Sequence, residues 1–354
     1  MSLADRIAAR IAQDGPISLA DYMTECLLDP AEGYYTTHQP FGQRGDFITA
    51  PEVSQMFGEL VGLALAQTWL DHGAPDAFSL VELGPGRGTL MTDILRATRK
   101  VAGFHDALTL HLIEASPQMR ELQARTIPSA LVHHDDLSTL PDRPVYAVAN
   151  EFFDALPIRQ FERTPKAWRE RVVGLKDEQL ALGLSDETLP KMLSDRLNDT
   201  KPRDIVEVSD TARHIARELG ARISEHGGAA LVIDYGDWRS RGDTFQAVAQ
   251  HAPVDPFAAP GHADLTAHID FAALAEAARP ALSTRMIPQG VWLERLGITA
   301  RAQVLARNLG GAELDQHIAA HRRLTHDAEM GTLFKAMALH APGQAAPPGF
   351  LHDD

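Results

Sequence analysis

Ser79-Leu80-Val81-Glu82-Leu83-Gly84-Pro85-Gly86-Arg87-Gly88 is the stretch on which the reading of this chain turns. Leu80, Val81 and Leu83 make an apolar run of strand length. Glycines follow at 84, 86 and 88, and Thr89-Leu90-Met91-Thr92-Asp93-Ile94-Leu95 then places apolar residues at helical spacing. A strand that turns through glycine into a helix brings bare backbone and a helix N-terminus up to a ligand. The dinucleotide fingerprint Gly-x-Gly-x-x-Gly puts its third glycine one residue later and seats a pyrophosphate on the helix. Here the glycines alternate, and Glu82 stands two residues before the first. A carboxylate there would repel a pyrophosphate but suits the ammonium or sulfonium of S-adenosyl-L-methionine. The methyl donor is therefore preferred to a dinucleotide and to a purely structural turn.

Working outward, short apolar runs alternate with helical patterns from residue 77 onward. Strands are predicted at 108–113, 130–133, 145–149 and 229–233, with a last one at 333–340. The pattern is that of an α/β, doubly wound, Rossmann-like sheet. Residues 1–75 read as a helical N-terminal region, with helices at 3–12, after Ser18, and at 53–72. Two insertions, about 159–208 and 237–268, interrupt the domain 76–340, and the Pro/Gly-rich residues 341–354 read as a flexible tail. The buried-looking helix 53–72 is the candidate face for a homodimer.

Composition narrows the function further. The chain of 354 residues carries a formal net charge of −15 and has no basic block, which disfavours a nucleic-acid backbone as partner. The single cysteine, Cys26, excludes an intramolecular disulfide and a multi-cysteine zinc site. His317 and His321 share a helical face but lack a third ligand, so no metal is expected. No apolar run is long enough to span a bilayer, so membrane insertion is not expected. The N-terminus, with Asp5 and Asp14, lacks the marks of a signal or transit peptide, and a cytoplasmic location is expected.

In a sheet of this kind ligands sit above the C-terminal strand ends. Glu114, closing the second strand, is placed to take both ribose hydroxyls. Asp135 or Asp136, after the third, is placed to accept from an adenine amino group. Asn150-Glu151-Phe152-Phe153-Asp154, after the fourth, is the best catalytic candidate. Methyl transfer needs an acceptor held in line and a route for its proton. A guanidinium acceptor, whose pKa exceeds ~12, needs a carboxylate to grip it and receive that proton. Glu151 and Asp154 suit the task; Phe153 reads as core. Thr49-Ala50-Pro51-Glu52 explains itself as a helix start, with Thr49 as cap and Glu52 on the dipole. Gly45-Asp46-Phe47 and Gln55 are left over, and a ligand carboxylate at this helix end is the alternative. Asp264 and Thr266, read from the residues alone, cap the helix that follows them.

Taken together, Thr49-Ala50-Pro51-Glu52-Val53-Ser54-Gln55-Met56-Phe57-Gly58-Glu59, Val81 to Leu90, Asn150-Glu151-Phe152-Phe153-Asp154-Ala155-Leu156-Pro157, Val232-Ile233-Asp234-Tyr235-Gly236, His262 to Phe271 and Gln289 to Ile298 resemble the MidA-type methyltransferases, over nearly the whole chain. Mitochondrial members of that family are complex I assembly factors and protein arginine methyltransferases. The resemblance implies a class I S-adenosylmethionine fold and a protein substrate, a respiratory complex I subunit, carrying symmetric dimethylarginine. It implies donor binding by Gly84, Gly86, Gly88, Glu114, Asp135 and Asp136, and Glu82, Pro85 and Asn150 at the same strand ends are expected to join them. The guanidinium falls to Glu151 with Asp154 or Glu52, and substrate contacts to Thr49, Gln55, Asp264 and Thr266. Without a mitochondrial targeting segment, a bacterial member is expected. Methylation of a small molecule or nucleobase, and a non-catalytic assembly factor, are the competing readings.

Overall fold

The computed structural model of the chain describes residues 1–37 and 49–350; Gly45-Asp46-Phe47 lie outside the described residues. The central sheet is built from β1 (Phe78–Leu83), β2 (Leu108–Ile113), β3 (Leu131–His134), β4 (Val145–Asn150), β5 (Gly228–Asp237) and β6 (Phe334–His340). Their order is 3-2-1-4-5-6. Strands β1 to β5 run parallel, and β6 is antiparallel to β5. Every residue of β1 and β4 is buried, as expected of strands covered on both faces. The order reverses between β1 and β4, so a crevice opens at their C-terminal ends. Glu82 lies at one lip of that crevice and Asn150 at the other.

The expected helical region 1–75 divides between two cores. Helices α1 (Leu3–Asp14) and α2 (Leu19–Leu28) are amphipathic, and their apolar faces pack with Val173 and Leu265 from the two insertions. Helix α3 (Gln55–Asp71) is apolar nearly all round and belongs to the sheet's own core, with Phe78, Leu90 and Ile94. It buries that surface inside its own chain, which accounts for the feature that had suggested a dimer. Gly58 and Gly62 let α3 lie directly against α4 (Thr89–Thr98). A Cβ at Gly58 would meet Asp93 Cβ at 2.5 Å, and one at Gly62 would meet Ile94 Cα at 2.9 Å.

The expected helix 53–72 is present as α3, starting two residues later than read. Ala50–Val53 forms one turn, Ser54 is extended at φ −162, and its side chain accepts the Met56 N–H to start α3. Thr49 is the N-cap residue of that first turn but makes no side-chain capping bond, which corrects the capping role read for it.

The first insertion folds as antiparallel strands Arg159–Arg163, Trp168–Lys176, Gln179–Thr188 and Ile205–Val208, joined at one edge by Ile17–Ser18. The second contributes a three-stranded sheet, Gln246–Ala249, Ala252–Val254 and Asp264–Thr266. The described part of the tail, 341–350, is docked rather than free. Phe350 stacks on Trp292 with centroids 5.9 Å apart, Trp292 Nε1 donates to Pro348 O, and Gly228 N donates to Gln344 Oε1. Pro and Gly there serve turns between apolar anchors; residues 351–354 lie outside the described residues.

A buried carboxylate fixes the C-terminal helices to α3. Glu59 accepts from Arg96 at 2.8 Å and from Arg301 at 2.7 and 3.1 Å. Burial pushes its pKa up, but Arg301 and Arg96 outweigh that and hold it below the usual range. Arg301→Ala is expected to cost about 1–3 kcal/mol, because it strips a nearly buried charge of its bidentate partner. A denaturant midpoint unchanged in this variant would refute that assignment.

Candidate active site

The glycine turn joins β1 to α4. Gly84, Gly86 and Gly88 all adopt positive φ, at 64, 50 and 82°, a region that strains other residues. A Cβ at Gly84 would meet the Phe152 ring at 2.7 Å, so the turn is pressed against the segment after β4. Beside it opens a cavity of about 380 Å³, within the range of small-molecule sites. Its lining includes Gly84, Gly86, Glu114, Asp135, Asp136, Glu151 and Phe152, and Leu27 and Leu28 of α2 lie across it. A second, small cavity of about 40 Å³ lies on the other side of Gly84 and Gly86, lined by Thr49, Glu52, Glu82, Asn150 and Glu151.

Around the larger cavity the expected donor residues are brought together. Glu114 accepts from Ser116 N at 2.8 Å and Gln123 Nε2 at 3.0 Å. Burial pushes its pKa up, against the pull of these donors. Gln123, on helix α5 (Pro117–Thr126), was not singled out from the sequence. It is fully buried, and the same amide nitrogen donates to Gly86 O at 2.7 Å while its oxygen meets His133 Nε2 at 2.9 Å. One side chain thus ties the glycine turn to the acid of the second strand. Its signal was available: with Met119 it forms the i, i+4 inward face of an otherwise polar helix. Gln123→Ala is expected to weaken donor binding about tenfold by freeing both groups. Calorimetry with S-adenosylhomocysteine checks it; unchanged affinity would rule the link out. Asp135 and Asp136 line the rim with their carboxylates engaged, Asp135 with Arg120 and Asp136 with Ser138 N, capping the turn Leu137–Thr139.

The small cavity holds two unsatisfied acceptors. Glu82 Oε2 and Asn150 Oδ1 are buried with no hydrogen-bond partner among the described residues. Burial, then the charge of Glu114, push Glu82 up to about 8. Orphaned acceptors next to bare glycine backbone fit the ammonium end of S-adenosylmethionine, and Glu114 above the larger cavity fits its ribose. Glu52 is placed here as well, accepting from Thr89 Oγ1 at 2.6 Å. Its carboxylate thus braces the start of α4 while facing the same cavity as Glu82 and Glu151. Gln55 is exposed and lines neither cavity.

Glu151 joins the two cavities. It sits at φ 52, a left-handed conformation unusual for a non-glycine residue and typical of functional strain. Its Oε1 accepts from Ala50 N at 2.8 Å and Asn150 Nδ2 at 3.0 Å, while Oε2 has no partner among the described residues. Burial pushes its pKa up to about 7. Behind it lie three buried acids, Asp154, Asp234 and Asp264. Asp234 accepts three backbone N–H groups, from Phe153, Asp154 and Tyr235. Burial and the charges of Asp234, Glu151 and Asp264 hold Asp154 well above the carboxylate range, although the Tyr235 hydroxyl pulls its pKa down. Burial raises Asp234 too, against its three N–H donors. Asp264 accepts from Tyr35 Oη at 2.7 Å.

Asp264 and Thr266 lie on a strand, and the following helix Phe271–Ala277 is capped by Asp270, which overturns the capping reading of both. Thr266 accepts from Gln246 Nε2 at 3.2 Å. Phe153 is core, as read. Asp234, Tyr235 and Tyr35 were missed as site residues. Asp234 carried the same strand-end signal as Glu151, whereas nothing local marked Tyr35. Among the described residues no Lys or Arg comes within ion-pair distance of Glu151, Asp154 or Asp234, although the charge of Arg323 pulls Glu151 down against its burial, and no group of three or more side chains could hold a metal.

Comparison with known proteins agrees with this architecture. Residues 60–288 match the model of a family described as "Putative S-adenosyl-L-methionine-dependent methyltransferase". The chain is 36% identical to the rat and human proteins named protein arginine methyltransferase NDUFAF7, mitochondrial, over 93% of its length and 82% and 81% of theirs. The Drosophila melanogaster homolog is 35% identical, with 98% of this chain and 86% of that one covered. A Burkholderia thailandensis crystal structure bound to S-adenosyl-homocysteine superposes with TM-score 0.83 at 28% identity, covering 98% of this chain and 93% of the other. The chain belongs to this family of S-adenosylmethionine-dependent methyltransferases, with a class I methyltransferase fold and S-adenosylmethionine as its methyl donor.

Proposed function

We propose that the enzyme is a protein arginine N-methyltransferase. The observation that carries this reading is the group Glu151, Asp154, Asp234 and Asp264, drawn together next to the donor cavity. Like charges packed in a low-dielectric site destabilise one another unless a cation joins them. A guanidinium is such a cation, with planar, bidentate donors that match carboxylates. The bound donor supplies an electrophilic methyl group. Glu151, held at Oε1 by Ala50 N–H and Asn150, presents Oε2 to grip the acceptor and take its proton. Asp234, fixed by three N–H bonds, and Asp154 balance the remaining charge. Tyr235, stacked on His268 and packed on Phe334, forms an aromatic wall beside them.

Relatives named protein arginine methyltransferases support the reading. We further propose, on the family resemblance, symmetric dimethylarginine as product and a respiratory complex I subunit as acceptor, with the reaction in the cytoplasm of a bacterial cell. On this reading Gly88 and Pro85 shape the donor turn, and Thr49 borders the donor's amino-acid end. Incubating the enzyme with labelled S-adenosylmethionine and isolated complex I subunits should label an arginine of one subunit. Label on lysine or histidine would overturn the arginine assignment.

A further inference from the structure

Beyond the acid group, the strand-end surface carries a second cavity of opposite sign, about 530 Å³ in volume. It lies between the 3-10 turns Lys191–Leu193 and Asp195–Leu197, the start of helix α6 (Asp210–His226) and helix Phe271–Ala277. Two of its arginines are internally satisfied: Arg196 pairs with Asp270 and Asp199, and Arg239 with Asp199 and Asp195. Four cations remain. Lys191, Arg213, Arg217 and Arg279 line the cavity and make no side-chain hydrogen bond or ion pair among the described residues, and against them stands one such carboxylate, Glu276. Arg213 and Arg217 are one helical turn apart and share a face. In a chain of net charge −15, a concavity in which uncommitted cations outnumber uncommitted acids four to one runs against the overall balance.

Its position relates it to the acceptor. Ile269–Asp270 pairs with the end of β5, at Gly236 and Asp237, just beyond Asp234. A small cleft lined by Phe153, Ala267, His268 and Arg213 lies between the acid group and the basic cavity. We infer that this cavity seats acidic side chains of the protein substrate while its arginine occupies the acid group, so that the enzyme selects an arginine with acidic residues nearby. This inference rests on the proposed arginine methylation. Elsewhere the surplus of negative charge repels acidic segments, and the basic cavity is positioned to reverse that locally and orient the substrate.

The test uses two synthetic 15-residue peptides, each with one arginine, flanked by three glutamates in one and three glutamines in the other. Binding to the S-adenosylhomocysteine-bound enzyme is followed by fluorescence anisotropy. The glutamate peptide should bind about tenfold more tightly at low salt, with the preference fading as salt rises. R213E/R217E should abolish the preference, and R279Q, on a different segment, should reduce it. Both variants should bind S-adenosylhomocysteine like wild type, which shows that they are folded. Equal binding of the two peptides, or a preference that survives R213E/R217E, would overturn the inference. Methyl transfer is scored separately: selective binding without arginine methylation would count against the proposed activity and leave the basic cavity's selectivity standing.

Discussion

Glu82→Gln is expected to bind S-adenosylmethionine on the order of a hundredfold more weakly and yet to be the more stable protein at neutral pH without donor. The carboxyl is buried, one oxygen has no partner among the described residues, and burial with the charge of Glu114 pushes it up to about 8. Because this folded-state value exceeds that of the unfolded chain, near 4.5, the native protein holds the extra proton between those pH values. Stability therefore falls as pH rises from about 4.5 to about 8, by a total on the order of 3–5 kcal/mol for this group alone. Glutamine keeps the shape and removes the titration, so that slope should shrink. Donor binding runs the other way. A cationic ammonium beside Glu82 favours the ionised form, so wild-type binding should release a proton below pH 8 and tighten as pH rises toward 8. Calorimetry in buffers of different ionisation enthalpy measures the proton released. Equal donor affinity in wild type and Glu82→Gln would remove Glu82 from the site.

Glu151→Gln is expected to lower methyl transfer on the order of a thousandfold while changing donor affinity only a fewfold. Glutamine can still accept from Ala50 N–H and Asn150 through its oxygen, but its nitrogen cannot take a proton at the position of Oε2. With the carboxyl pushed up to about 7, the wild-type enzyme should gain kcat/KM for the acceptor as pH rises to about 7 and level off above it. Gripping a cation requires the ionised form, which fixes that sign. The variant should lack this limb. A variant as active as wild type, or a limb that persists in it, would assign the proton to another group, with Asp154 the next to test.

Much of this site could be read in the sequence because strand ends are local features. Glu82, Glu114 and Glu151 each follow or close a buried apolar run, and the parallel order that brings them together follows from alternating strands and helices. Asp234 obeyed the same rule and was passed over because no candidate role had been attached to the fifth strand. Gln123 and Tyr35 were harder. Their importance arises from tertiary contacts, Gln123 to Gly86 and Glu114, and Tyr35 to Asp264, 229 residues away. Glu52 and Gln55 are close in the sequence and separated by the fold. They belong to a compact motif, but the helix breaks at Ser54, turning Glu52 toward Thr89 and leaving Gln55 exposed. The segment 341–350 misled through composition, since Pro and Gly mark turns as well as disorder, and only packing against Trp292 separates the two.

The central claim is that the acid group around Glu151 receives a protein-bound guanidinium. Its most direct test is amino-acid analysis of protein extract from cells lacking this chain, after incubation with the purified enzyme and methyl-labelled S-adenosylmethionine. The account predicts label in methylated arginine with wild type and its loss with Glu151→Gln. Label recovered in another amino acid, or in small molecules with none in protein, would contradict it.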